Sequence, residues 1–201
     1  MIKKVITNLF KKKSNERSII IATLNEKIMP IDRGEIYEDV LDEFLKESNL
    51  GEITGGGTMQ YVSGEIEFVD IEINLFENKI NNETIDKIIN KLEVIGAPKG
   101  SKLKVETTGE IINFGKLEGI GIYLDGLNLS KEVYEECDVN FIISEVHRLT
   151  NIEFEINRYW ENDNGTALYF YGKSFDEMKE QIHEFIENYP LCENCEIKQI
   201  A

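Results

Sequence analysis

The stretch GEIEFVDIEINLF, residues 64–76, alternates apolar and acidic side chains, the period-2 signature of a strand with one face on a core. Its phase slips once. Ile66 and Phe68 share one parity while Val69, Ile71, Ile73 and Leu75 share the other, which predicts a β-bulge near Phe68 and Val69 that keeps one apolar face inward. Upstream, EITGGGTMQYV (52–62) sets strand-forming residues around Gly55-Gly56-Gly57. EIYEDVLDEFLKES (35–48) follows a turn at Asp32-Arg33-Gly34 and places Ile36, Val40, Leu41, Phe44 and Leu45 on one helical stripe. SIIIATL (18–24) is the β-branched run of a buried strand. Downstream, NNETIDKIINKLEVIG (81–96) carries Ile85, Ile88, Ile89 and Leu92 at helical spacing, with Gly96 and Pro98 as stop signals, and SKLKVET (101–107) returns to strand. The order is β-α-β-β-α-β.

The rest of the chain repeats it. EGIGIYL (118–124) reads as a strand, SKEVYEECDVNFIISEVHRLT (130–150) as a helix capped by Ser130, and IEFEINRYW (152–160) as a strand ending in the NDNG turn (162–165). TALYFYG (166–172) pairs back, SFDEMKEQIHEFIENYP (174–190) is a helix with Ser174 and Glu177 as a capping box, and CEIKQI (195–200) closes the chain. Ile36-Tyr37-Glu38 opens the first helix of one half as Val133-Tyr134-Glu135 does in the other, so the pattern fits an internal duplication. The fold class expected is α+β: two tandem ferredoxin-like units, each an antiparallel sheet with two helices on one face. They span residues 18–107 and 118–201, joined by a short linker at 108–117 and preceded by a basic amphipathic tail, 1–17.

Charge narrows the function. The 201 residues carry 22 Lys and Arg against 38 Asp and Glu, a formal charge of -16. The tail holds six bases and one acid, so residues 18–201 keep 16 bases against 37 acids and stand at -21. Such a surface repels phosphate backbones, which speaks against nucleic acid and for a basic protein partner. In the tail, Ile2, Val5, Ile6, Leu9 and Phe10 recur at helical spacing, leaving weak contact with an anionic membrane through residues 1–13 as a further expectation. No apolar run reaches membrane-spanning length, no signal-peptide pattern opens the chain, and three cysteines make no disulfide framework; the expected location is cytoplasmic.

Catalytic motifs are scarce. Cys192 and Cys195 form a CxxC pair, but it follows the last helix instead of opening one, so the dipole that depresses a redox thiol is missing; a structural role is expected. Completing a zinc site would require Cys137, His147 or His183. The triple glycine lacks the Lys-Ser or Lys-Thr of a phosphate loop and runs strand to strand, which suits a bulged edge or hairpin limb. No nucleophile elbow or HExxH occurs. No catalytic residue, metal or cofactor is therefore assigned.

The second sheet is more informative. Ile120, Ile122, Leu124, Ile152, Phe154, Ile156, Leu168 and Phe170 alternate toward the helices. The opposite face carries Tyr123, Glu153, Glu155, Asn157, Tyr159, Tyr169 and Tyr171. Carboxylates beside the tyrosines disfavour RNA stacking and suit a protein interface. The candidate partner-binding set is Tyr123, Glu153, Glu155, Tyr159, Tyr169 and Tyr171, with Glu65 and Glu67 from the first half. The alternative is that this face is buried against the first half.

The segments GEITGGGTMQ, GEIEFVDIEINL, IGAPKGSKL and ALYFYGKSFDEMKEQIHEFIENYPLCENCEIKQI resemble a group of bacterial cytosolic proteins similar to the immunity proteins of polymorphic-toxin and contact-dependent-inhibition systems. The resemblance implies a small, acidic, non-catalytic inhibitor that occludes a basic toxin domain, such as a nuclease. It assigns no individual residue. Two alternatives stand beside it: a small-ligand or metal-dependent enzyme with its site between the halves, and an interaction module tethered by its basic tail.

Overall fold

The computed structural model describes residues 18–76, 79–152 and 158–201. The amphipathic reading of the tail, the pair Glu153 and Glu155, and the inward positions Phe154 and Ile156 lie outside the described residues.

Strand β1 (Ser18–Leu24) alternates as its β-branched composition requires, with Ile20, Ala22 and Leu24 fully buried. The first helical segment, α1 (Pro30–Arg33), opens at Pro30, whose fixed φ suits a first helical position. A wider π turn, Gly34–Glu38, leads into α2 (Asp39–Glu47). The turn expected at Asp32–Gly34 is thus helical. Strands β2 (Gly51–Gln60) and β3 (Ile66–Leu75) form a long hairpin. Its register shifts between the pairs Met59↔Phe68 and Gln60↔Ile66, leaving Glu67 as the extra residue, and again near Thr54. The first shift is the expected slip, one position earlier, and it lets Ile66 and Val69 both face inward. Asn81 caps α3 (Asn82–Ile95) by accepting from Thr84 N at 2.9 Å, and β4 (Ser101–Val105) follows.

The segment expected as linker contains a strand instead. β5 (Glu110–Phe114) pairs antiparallel with β4, so among the described residues the first sheet has five strands, in the order β2-β3-β1-β4-β5. Gly115, at φ +105°, then passes so close to the Pro98 carbonyl that a Cβ would lie 1.8 Å from its oxygen; only glycine fits. Pro98 bridges to Leu117, and Lys99 N donates to Leu117 O at 2.7 Å, which ties the halves at their junction.

The second sheet contains β6 (Glu118–Asp125), β7 (Arg158–Asn162), β8 (Gly165–Gly172) and β9 (Glu196–Gln199) in the order β7-β8-β6-β9. The helix expected over 130–150 is broken into α4 (Lys131–Glu136) and α5 (Val139–Thr150). Asp138 makes the break by capping α5, its carboxylate accepting from Asn140 N at 2.8 Å. Ser174 caps α6 (Phe175–Asn188) from Glu177 N at 3.3 Å. Ile120, Ile122, Leu168 and Phe170 pack on α5 and α6 around Ile142, Val146 and Ile182. The other face, Ala167, Tyr169 and Tyr171, forms a separate buried cluster with Tyr123, Trp160, Ile200 and Leu117. Among the described residues no helix is long and apolar enough to cross a membrane.

Candidate functional site at the seam of the two halves

Apolar β1 ends in Asn25-Glu26-Lys27, and the chain turns there beneath the second sheet. Lys27 N donates to the Tyr171 hydroxyl at 2.9 Å, and Asn25 Nδ2 donates to Ile200 O at 3.3 Å. The tyrosine-bearing face is therefore covered by the first half. A sheet whose free face carries large rings loses exposed apolar area by this docking, about 25 cal/mol per Å².

One ion pair crosses the seam and a second lies against it. Glu26, fully buried, meets the Arg158 guanidinium at 2.5 Å and accepts from the Tyr37 hydroxyl at 2.5 Å. Arg158 is only 8% exposed and lies over the Tyr171 ring, 5.1 Å from its centroid. Glu65 Oε1 accepts from Tyr169 at 2.8 Å and Tyr123 at 3.0 Å and pairs with Lys27 Nζ at 2.8 Å. Lys27 also donates to Ile66 O at 2.7 Å, with the rings of Tyr61 and Tyr169 each 5.4 Å away. Two carboxylates thus face two bases.

The same arrangement sets the titration of its members. Burial would raise the Glu65 carboxyl, but the hydrogen bonds from Lys27 and Tyr169, the Lys27 charge and the Tyr123 hydroxyl together hold it below the usual carboxylate range. Burial pushes the Tyr169 and Tyr123 hydroxyls far up, reinforced by Glu65. Burial, then the Glu26 charge, does the same to Tyr171 and Tyr37. A carboxylate with a depressed pKa is a poor general base, and a phenol with a raised one is a poor acid or nucleophile. Chemically the cluster is a lock.

Beside it lies a cavity of about 190 Å³ lined by Lys27, Met29, Ile66, Tyr159, Trp160 and Tyr169. Among the described residues, no group of three or more His, Cys, Asp or Glu is placed to hold a metal ion. His147 stacks edgewise on Phe170, and His183 lies exposed beside Glu187.

Of the residues singled out in the sequence, Tyr123, Tyr169 and Glu65 meet directly, and Tyr171 joins them through Lys27. Their hydroxyls and carboxylate are engaged within the molecule. Tyr159, 46% exposed on the edge strand β7, pairs with Leu168 and so belongs to the helix-side face, not to the tyrosine face expected for it; Arg158 and Trp160 take that place opposite Tyr169 and Ala167. Glu67 sits at the bulge near Tyr61 and outside the lock. The sequence reading missed Glu26, Lys27, Arg158 and Tyr37. A charged pair between the buried Leu24 and Ile28 was the available signal, since charges flanked so closely by core residues must find partners. The glycine triplet is a limb of edge strand β2: a Cβ at Gly56 would lie 2.6 Å from Glu38 Oε1 and 2.9 Å from the Arg33 guanidinium, so it makes room for that ion pair.

No family model and no curated protein matches the chain. Solved structures similar to it include an unknown protein from Galdieria sulphuraria, at 10% identity and a TM-score of 0.28 over 91% of this chain and 96% of that one. A candidate monooxygenase from Lactobacillus acidophilus NCFM aligns at 14% identity and a TM-score of 0.29, covering 91% and 92%. The first two RRM domains of yeast poly(U) binding protein align at 10% identity and a TM-score of 0.24, covering 90% and 99%. These scores carry no argument about activity.

Proposed function

We propose that the chain is a catalytically inert, acidic binding protein made of two tandem ferredoxin-like units, and that its occupant is a basic protein domain held on the outer helices of the second unit. In kind it is an immunity protein covering a basic toxin domain, such as a nuclease. The unit assignment is supported by the shared strand order: β2-β3-β1-β4 in the first sheet parallels β7-β8-β6-β9 in the second.

The observation that carries the reading is an aromatic cluster left open on the acidic exterior. Phe141 of α5, 45% exposed, packs 5.9 Å from Phe185 and 5.2 Å from Tyr189, and the last two rings stack at 5.4 Å. Glu145, paired with Arg148 at 2.7 Å, stands four residues after Phe141 on its stripe of α5, and the exposed cap Asp138 precedes the helix. Glu184 and Glu187 of α6 are exposed and add to the acidity of this end of the helix. Aromatic anchors on an acidic surface suit a basic partner: the rings supply buried contact area, and the carboxylates speed encounter and select charge.

Co-expression with the protein encoded beside this chain's gene tests the proposal. Expected are rescue of growth, copurification, and an association rate that falls steeply with salt. Phe141→Ser should weaken the complex at least tenfold. Absence of a complex, or an affinity untouched by Phe141→Ser, rejects it.

The seam cavity favours a second reading, a small planar ligand held beside Trp160. Trp160 is the chain's single tryptophan, so its fluorescence would report such binding directly.

A further inference from the structure

All three cysteines of the chain converge in the second half, although Cys137 is far from the other two in sequence. Cys137, at the break between α4 and α5, contacts the Tyr189 hydroxyl through its sulfur and neighbours Cys192. All are free thiols that belong to, or pack against, the α5–α6 core.

Cys192 and Cys195 have the more specific geometry. Cys195 N donates to Cys192 O at 3.1 Å, closing a β-turn over Cys192–Cys195. Glu193 has φ -58° and ψ 135°, and Asn194 has φ +60°, the backbone of a type II turn with asparagine in the position that requires positive φ. Such a turn brings its first and fourth Cα atoms within about 7 Å, close to the range of about 4.4–6.8 Å that a disulfide spans. The two thiols neighbour each other across this turn. We propose that Cys192 and Cys195 form a reversible dithiol–disulfide pair oxidised by hydrogen peroxide, with Cys195 as the attacking sulfur and Cys192 as the resolving one.

Exposure and chemistry give the two sulfurs their order. Cys192 is 3% exposed, at the end of a short 3-10 turn (Pro190–Cys192), whereas Cys195 is half-buried. The hydrogen bond from the Cys192 thiol lowers the Cys195 thiol from its usual range and, with burial, raises that of Cys192. This supplies by a neighbouring S–H what the missing helix N-terminus would supply elsewhere. In the first step the Cys195 thiolate attacks one peroxide oxygen, the O–O bond breaks, and hydroxide leaves as water once protonated, giving a sulfenic acid. In the second, Cys192 loses its proton and attacks the Cys195 sulfur. The S–S bond forms, the S–O bond breaks, and a second water departs. Two thiols are oxidised by two electrons while one peroxide is reduced to two waters.

The test uses the full chain, hydrogen peroxide at stoichiometric dose, and thiol titration after denaturation. Titratable thiols should fall from three to one, dithiothreitol should restore three, and the peptide holding Cys192 and Cys195 should be lighter by two hydrogens. Cys137→Ser should fall from two to none, which separates the pair from its neighbour. Cys195→Ser should form no internal disulfide at that dose. Three thiols surviving the treatment, a mapped link from Cys137 to either partner, or arrest of Cys195 as a sulfinic acid without a disulfide would overturn the assignment.

Discussion

The second half carries two groups of three aromatic rings, each accompanied by carboxylates, and they end in opposite circumstances. Tyr123, Tyr169 and Tyr171 lie on the sheet; their hydroxyls bond to Glu65 and Lys27 across the seam, and Tyr169 and Tyr171 are almost wholly buried. Phe141, Phe185 and Tyr189 lie on the helices, and only Tyr189 has a polar atom to place, exchanging hydrogen bonds with the Asp138 backbone. The difference is that the first half supplies a counter-surface of matched charge, Lys27 and Glu65 included, to one face, while the other meets solvent. A polar aromatic face whose donors are answered across the seam becomes structure; an apolar aromatic face with no such counter-surface stays available.

The largest expected effect comes from emptying one side of the buried lock. Arg158→Ala leaves the fully buried Glu26 with Tyr37 as its remaining donor and should cost about 3–5 kcal/mol in chemical denaturation. Glu26→Leu/Arg158→Leu should cost markedly less than the sum of the single changes, because neither charge is then stranded.

Next in size is the response to alkali. Tyr37, Tyr123, Tyr169 and Tyr171 have folded-state pKa values raised above the unfolded value, so their contribution is intact below about pH 10 and is lost as pH rises from there toward the folded values. Unfolding above about pH 10 should coincide with a burst of tyrosinate absorbance. If these residues ionise gradually in the folded protein, the seam is looser than described.

Glu65 gives the opposite sign. Its folded-state pKa is depressed, so its contribution is present above about pH 4.3 and lost as pH falls through the folded value. Glu65→Gln should flatten the acid limb of the stability profile. Tyr169→Phe, which removes one donor to that carboxylate, should cost about 1.5–3 kcal/mol by thermal or urea melting. Phe141→Ser belongs at the bottom of the scale: loss of its contacts with the Phe185 and Tyr189 rings should cost about 1 kcal/mol in stability, with its main effect falling on partner affinity.

Local physics made most of the elements legible. The apolar stripe of α2, the Asn81 cap of α3, the Ser174 cap of α6 and the NDNG hairpin depend on residues within one or two turns of each other. The phase slip in 64–76 likewise announced a bulge, because a one-residue offset would otherwise turn the apolar side chains of β3 to solvent. Less legible were the break at Cys137–Asp138, where a capping aspartate overrode a continuous apolar stripe, and β5, whose sequence EIINF alternates weakly and gains its identity by pairing with β4. At the seam, Tyr123, Tyr169, Tyr171 and Glu65 were visible through strand parity, but Tyr159 was put on the face that Arg158 occupies, and Glu26, Lys27 and Arg158 were missed, since no periodicity marks a charge that will be buried.

By itself the sequence determined the alternation of strands and helices, the inward face of each, and the acidity of the exterior, because these follow from side-chain spacing, turn chemistry and charge. Only the tertiary structure decided which aromatic face would be closed and which charges would lose their water. The pairs responsible are 104 residues apart for Tyr169 with Glu65 and 144 for Tyr171 with Lys27. Their energy depends on how two sheets dock, and that is a property of surfaces rather than of neighbouring residues in the chain.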